Sequence, residues 1–168
     1  MTKRFSLVCA ILLLAAAAPA VPTGPVSLTA RPGTPLDATA RRVAAADVTD
    51  GGSGALVLIG SQRLGTAGVG PALFVQIQSQ RACGSAGCST SIYLPERTGW
   101  RKVLDAVSGT VVVQPTEHRG MHDLVIGRSD RWEWNGHAYA DTLPAPQVNL
   151  HPRHRPVRKP HPEHPVHD

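Results

Sequence analysis

The chain has 168 residues, a formal net charge of +5 at pH 7, and only 4% aromatic residues. The charge does not form a basic domain: residues 21–150 carry eleven Lys or Arg against ten Asp or Glu, residues 151–168 carry four against two, and Lys3 and Arg4 supply the rest. This excludes a nucleic-acid-binding domain. The absence of a Gly-x-Ser-x-Gly elbow, a His-Glu-x-x-His helix and a phosphate-binding glycine loop removes the commonest catalytic signatures.

In chain order, Lys3 and Arg4 precede an apolar run from Phe5 to Ala18 that closes on Ala18-Pro19-Ala20. That is the layout of a secretory signal peptide over residues 1–20, with cleavage after Ala20. A run of this length is short of the roughly 20 residues that span a bilayer. The expectation is therefore a periplasmic or secreted protein without a transmembrane anchor after cleavage. Residues 21–35 hold four prolines and two glycines without a clear period, which predicts a flexible lead-in. The folded part is then residues 36–143, one small domain.

Within it, Leu36 to Asp47 is the convincing helix: Ala38, Ala40, Ala44, Ala45 and Ala46 favour it, Gly51-Gly52 stop it, and Thr34 with Asp37 suggests a cap around Pro35. Asp47-Val48-Thr49-Asp50-Gly51-Gly52 resembles a fragment of an acidic calcium loop but lacks the further ligands, so it reads as a helix end and turn. Strands are predicted over Ala55–Ile59, Leu73–Ser79, Ser89–Leu94, Trp100–Val107, Thr110–Gln114 and His122–Gly127, with Ser108-Gly109 as a hairpin turn. In Leu73–Ser79, Leu73, Val75 and Ile77 share one face while Phe74, Gln76 and Gln78 share the other. The predicted class is mainly β or α+β: a small antiparallel sheet or meander with one N-terminal helix.

Cys83 and Cys88, separated by Gly84-Ser85-Ala86-Gly87, are the two cysteines beyond the signal peptide. An even pair in an exported chain reads as a disulfide pinning a hairpin tip, a ring whose closure stabilises by about 2 kcal/mol. The competing reading, a disulfide oxidoreductase, fits poorly because thioredoxin-type pairs have two intervening residues at a helix start.

Arg131 to Tyr139 contains Asn135-Gly136, the favoured pair for a two-residue hairpin. This predicts Trp134 opposite His137 and Trp132 opposite Tyr139, with all four on one face. That face either closes the core or, in part, offers Trp134 and His137 as a ligand surface. Upstream, Glu117, His118, His122 and Asp123 invite a catalytic or metal reading. In a strand, however, His122 and Asp123 point to opposite faces and cannot serve one site without a bulge. The simpler expectation is that Gly120 makes a turn and Asp123 bonds backbone groups there, leaving no catalytic residue assigned.

Residues 144–168 read as a disordered Pro/His-rich tail, because HPRHRPVRKPHPEHPVHD offers almost no apolar surface to bury. His161, His164 and His167 repeat every third residue, joined by His151 and His154. In a polyproline-type helix such a repeat lines one edge with imidazoles, which suit Zn, Ni or Cu. No other cofactor is expected.

Taken together, Phe74-Val75-Gln76, the Cys83–Cys88 loop, Gly99-Trp100, Gly120-Met121-His122-Asp123-Leu124 and Trp132-Glu133-Trp134-Asn135-Gly136-His137-Ala138-Tyr139 resemble a group of small exported bacterial proteins with no assigned activity, over roughly residues 40–142. The resemblance implies a periplasmic setting. More distantly, the chain is similar to small β-rich envelope proteins that inhibit lysozymes, without carrying an inhibitory motif. The expected function is a non-catalytic binding or envelope-associated module whose partner is an envelope protein or a small ligand. The alternative is metal binding or buffering by the histidine tail.

Overall fold

The computed structural model describes residues 21–65 and 70–143. The predicted signal peptide and the histidine tail lie outside the described residues, and with them His151, His154, His161, His164 and His167. Among the described residues, ten strands and two short helices form three layers. One sheet has the order β2 (Leu56–Gln62), β3 (Ala72–Gln78), β5 (Gly87–Glu96), with β6 (Gly99–Ser108) and the two-residue β4 (Cys83–Gly84) both pairing with β5. The second has the order β1 (Gly24–Pro25), β7 (Val111–His118), β8 (Met121–Ile126), β9 (Asp130–Trp134), β10 (Tyr139–Asp141). All pairings are antiparallel.

The class is mainly β, as predicted, but the single meander is instead two stacked sheets. Phe74, Ile92 and Val103 of the first sheet meet Val113, Leu124 and Trp134 of the second in one buried cluster. The other face of the first sheet packs Val57, Leu73, Val75 and Ile77 against Ala40 and Ala44. A strand covered on both sides must be apolar on both, which is why β3 runs Ala-Leu-Phe-Val before its glutamines appear.

The helix begins where expected. Thr34 Oγ1 accepts from the Asp37 N–H at 3.2 Å and Pro35 opens the first turn. The predicted single helix is two, α1 (Pro35–Val43) and α2 (Ala45–Gly51), because Ala44 leaves the helical region at φ −103° and ψ 26°. The change of direction at the buried Ala44 lets α2 bring Asp47 and Gly51 down onto β5 and β3.

The lead-in is ordered rather than flexible. Gly24 and Pro25 pair with Val113 and Val112, and Thr29 and Ile59 exchange two backbone hydrogen bonds of 3.0 and 2.9 Å. Proline content rules out a central strand, not an edge one, and Val26 and Leu28 add apolar contact with the inter-sheet core. The segment therefore laces the edge of one sheet to the edge of the other. Ser108-Gly109 is likewise not a hairpin turn: β6 and β7 belong to different sheets, and Gly109 (φ 121°) carries the chain between them. A Cβ there would lie 2.8 Å from the Gly127 Cα, so only glycine fits this crossing without displacement.

The last hairpin also departs from its predicted register. Trp134 pairs with Tyr139 and Trp132 with Asp141, two places away, so Asn135 to Ala138 form a four-residue loop. Asn135 Oδ1 accepts from the His137 and Ala138 N–H groups, each at 2.9 Å. In the predicted register an imidazole would occupy the inward position opposite Trp134. The observed one places Tyr139 there, its ring edge-on to Trp134 at 5.3 Å and its hydroxyl donating to the His122 carbonyl at 2.7 Å. A buried phenol with a satisfied hydroxyl is cheaper than a buried imidazole without a partner.

Candidate functional site

Two carboxylates organise the polar part of the molecule, each beside an irregularity in a sheet. The first is Asp47 on α2. The register of β5 against β6 slips between Thr90 and Ile92 and again before Tyr93, and Ala106 at the slip has φ 46°. A bulge of this kind re-aims side chains. Buried Ser91 donates to Asp47 Oδ2 at 3.0 Å while accepting from the Ala106 N–H at 3.1 Å. Tyr93 Oη donates to the same Asp47 oxygen at 3.0 Å, and Lys102 Nζ reaches both oxygens at 3.1 and 3.2 Å and Asp105 at 2.7 Å.

Burial, with the Asp47 charge behind it, pushes the Tyr93 phenol up to about 12. Burial pulls Lys102 down, but its hydrogen bonds to Asp105 and Asp47 outweigh this and raise it, so the ammonium stays charged. Asp47 is saturated with donors, and Ser91 has no neutral base in contact. The group is a tether between α2 and the sheet rather than an activated nucleophile.

Beside this tether lies a cavity of about 160 Å³. Asp50 and Gly51 of α2 form one wall, Ile77 of β3 part of the floor, and Arg81, Ser89 and Ser91 the other side. The disulfide fixes that side: Cys83 and Cys88 face each other in the β4–β5 hairpin, and the Ser89 N–H bonds the Ala82 carbonyl at 2.7 Å just behind them. The predicted bridge is therefore present at a hairpin tip. Asp50 and Arg81 both line the cavity, yet neither side chain makes an ion pair or hydrogen bond among the described residues.

The second carboxylate is Asp123. Val113 pairs with Leu124 and Glu117 with His122, so Gln114, Pro115 and Thr116 of β7 stand opposite Asp123 alone. Pro115 has no N–H to lose in such a bulge. The bulge swings three donors onto Asp123: Thr116 Oγ1 at 2.5 Å, His118 Nδ1 at 2.6 Å and Arg131 Nη2 at 2.6 Å. The carboxylate is fully buried beneath them. Burial works to raise its pKa, but the hydrogen bonds from Thr116, His118 and Arg131 prevail and hold it below the usual carboxylate range. His122 turns the other way, Nδ1 at 2.7 Å from the Gln114 carbonyl and Nε2 at 3.0 Å from Glu117. The two neighbours occupy opposite faces as predicted, but Asp123 bonds side chains, not the turn backbone. The turn itself is made by Arg119 (φ 51°) and Gly120 (φ 78°).

His118, Asp123 and Glu133 bring ligand atoms within 4.8 Å of one another, a spacing compatible with a metal ion. Arg131 already fills the cationic role there, 2.6 Å from Asp123 and 3.3 Å from Glu133. With three donors on Asp123, a metal would have to displace a guanidinium or an imidazole, so the donor set fits a closed ion network better than a metal centre.

Trp134 and His137 are separated by the change of register. Trp134 is 8% exposed in the inter-sheet core, with the Arg101 guanidinium 5.7 Å from its ring centroid. A shared ligand surface of the two is thereby corrected, since burial leaves almost none of the indole for a ligand. His137 alone is exposed, on a loop whose carbonyls at His137 and Asn135 accept from Arg101 and Arg119.

Sequence reasoning singled out neither Asp50 with Arg81 nor the Asp47, Ser91, Tyr93 and Lys102 group. These come from separated segments, and the one visible sign was the acidic run Asp47 to Gly52. Comparison with family models, curated proteins and solved structures finds no match to this chain. Among the described residues, no helix is long and apolar enough to cross a membrane.

Proposed function

We propose that this chain is an exported, non-catalytic binding module that holds a small ligand in the cavity between α2 and the cysteine hairpin. The observation that carries this reading is the contrast between the two kinds of charge around that cavity. Asp47 is saturated by Ser91, Tyr93 and Lys102, whereas Asp50 and Arg81 line the same space without an ion pair or side-chain hydrogen bond among the described residues. Groups committed to the fold are paired, and the groups left over converge on a hollow. Asp123, a fully buried carboxylate, is equally saturated and supplies no free base. The signal-like N-terminus and the disulfide support a periplasmic or secreted setting.

The test is a screen of small polar compounds against the ¹⁵N-labelled protein by amide chemical shift. Ligands are expected to perturb Arg81, Ser89, Ser91 and Ala106 together. Compounds that shift only other surfaces, or a turnover abolished by Ser91→Ala with the fold intact, would overturn the reading.

A second reading rests on the five histidines of residues 151–168: capture of Zn, Ni or Cu by the tail. Calorimetric titration of the untagged protein, beside a version ending at Leu150, tests it directly. Binding that survives the deletion would remove the tail from consideration.

A further inference from the structure

We infer that the ligand of the α2 cavity is a small zwitterion of the α-amino acid class, its ammonium group on Asp50 and its carboxylate on Arg81. The inference rests on the binding reading above and adds the chemistry of the ligand.

Charge decides the class. Asp47 is held by Lys102, which it shares with Asp105, so the charged side chains on the cavity wall that make no ion pair among the described residues are one carboxylate and one guanidinium. A simple anion or a simple cation would satisfy one and leave the other facing it with the wrong sign. A molecule bearing both signs satisfies both. Asp50 and Arg81 do not form an ion pair with each other, although both line the same hollow.

The position of Asp50 points the same way. It lies in the last turn of α2, where the carbonyl ends already carry partial negative charge and no basic residue compensates. An acid there is a poor choice for helix stability and a good one for an ammonium group. At the opposite wall, the planar Arg81 fork suits a carboxylate. Ser89, whose hydroxyl makes no hydrogen bond among the described residues, adds a further polar contact.

Size limits the side chain. A cavity of about 160 Å³ is near the volume that admits a six-membered ring of six heavy atoms, and alanine has the same number of non-hydrogen atoms. The apolar floor is Ile77 with Ala82, and Gly51 lets α2 pack closely against it: a Cβ there would stand 2.7 Å from Ile77 Cγ2. A methyl-sized side chain matches this volume, whereas an aromatic one would have to project beyond it.

The experiment titrates alanine, N-acetylalanine, alaninamide and phenylalanine into the ¹⁵N-labelled protein. Alanine is expected to give saturable shifts at Asp50, Arg81, Ser89 and Ala106, with the two blocked forms and phenylalanine at least about tenfold weaker. Asp50→Asn and Arg81→Gln, both at exposed positions, should each weaken alanine by about tenfold while the rest of the spectrum is retained. If a blocked form perturbs the cavity amides as strongly as alanine does, the zwitterion inference falls and the pocket reading stands. If none of the four moves those amides, the inference falls, and failure of the wider screen then decides the pocket reading separately.

Discussion

Replacing Asp123 by Asn keeps the shape of the side chain and removes its charge. The carboxylate is fully buried and takes three donors within 2.6 Å, two of them from Arg131 and His118. Hydrogen bonds to a charged group contribute about 1.5–3 kcal/mol each. Arg131 and His118 are each 43% exposed, so water and Glu133 recover part of what they lose, and the discount for exposed partners is substantial. A net destabilisation of about 2–3 kcal/mol is expected, a large share of the roughly 5–15 kcal/mol that holds a domain together.

The acid dependence separates this cause from generic damage. The pKa of Asp123 in the folded protein is depressed relative to about 3.9 in an unfolded chain. Its contribution is therefore complete above about pH 5 and is lost as the pH falls through the unfolded value toward the folded one. Urea unfolding followed by tryptophan fluorescence, at about pH 7 and again at about pH 3, should show the gap between the native protein and Asp123→Asn narrowing in acid. A loss below about 0.5 kcal/mol at neutral pH, or a gap that stays constant into acid, would refute the assignment of Asp123 as an ionised, donor-saturated centre.

Gly51→Ala should cost about 1–3 kcal/mol by driving a methyl into Ile77, which a drop in thermal midpoint would report. Ala106→Gly should be neutral or stabilising by up to about 1 kcal/mol, because the left-handed φ of 46° penalises a Cβ; a loss of that size, normal for glycine within a strand, would argue against strain at the bulge. Tyr139→Phe should lose about 1–2 kcal/mol by leaving the His122 carbonyl unpaired. In the native protein, burial with the Asp123 charge pushes the Tyr139 phenol up, so it should remain protonated in a spectrophotometric titration after an exposed tyrosine has ionised. Reducing the disulfide should lower stability by about 2 kcal/mol, with the largest amide shifts at Ala82 and Ser89.

Local chemistry was legible and long-range assembly was not. The Thr34 cap, the alternation of β3 and the cysteine hairpin depend on residues within a few places of one another, and each stands as the sequence predicts. Errors arose where a tertiary demand overrode a local preference. Asn135-Gly136 favours a two-residue turn, but the core needed Tyr139 rather than His137 opposite Trp134. The prolines of residues 21–35 suggested a loose segment, but two open sheet edges gave its backbone groups partners. Ser108-Gly109 has hairpin composition, yet the glycine serves a close crossing between sheets. The cavity was invisible for the same reason: Asp50, Arg81 and Ser91 carry no common period and meet only because α2 docks on a bulged strand pair.

The two donor-saturated carboxylates, Asp47 and Asp123, clarify where function should be sought. Both sit beside bulges, and both collect hydroxyl donors and a cation, so each locks a sheet irregularity in place. Around Asp123 the surrounding polar groups close on themselves: Arg131 answers Asp123 and Glu133, and the His122 ring contacts Glu117. Around Asp47 they do not, because Asp50 and Arg81 are left over at the rim of a hollow. A lysine at position 50 would complement the end of α2 and gain about 0.3–1 kcal/mol. The chain places the opposite charge there, so the helix does not explain Asp50. A bound positive group would account for it, and in the zwitterion proposal Arg81 across the cavity receives the negative group of the same molecule.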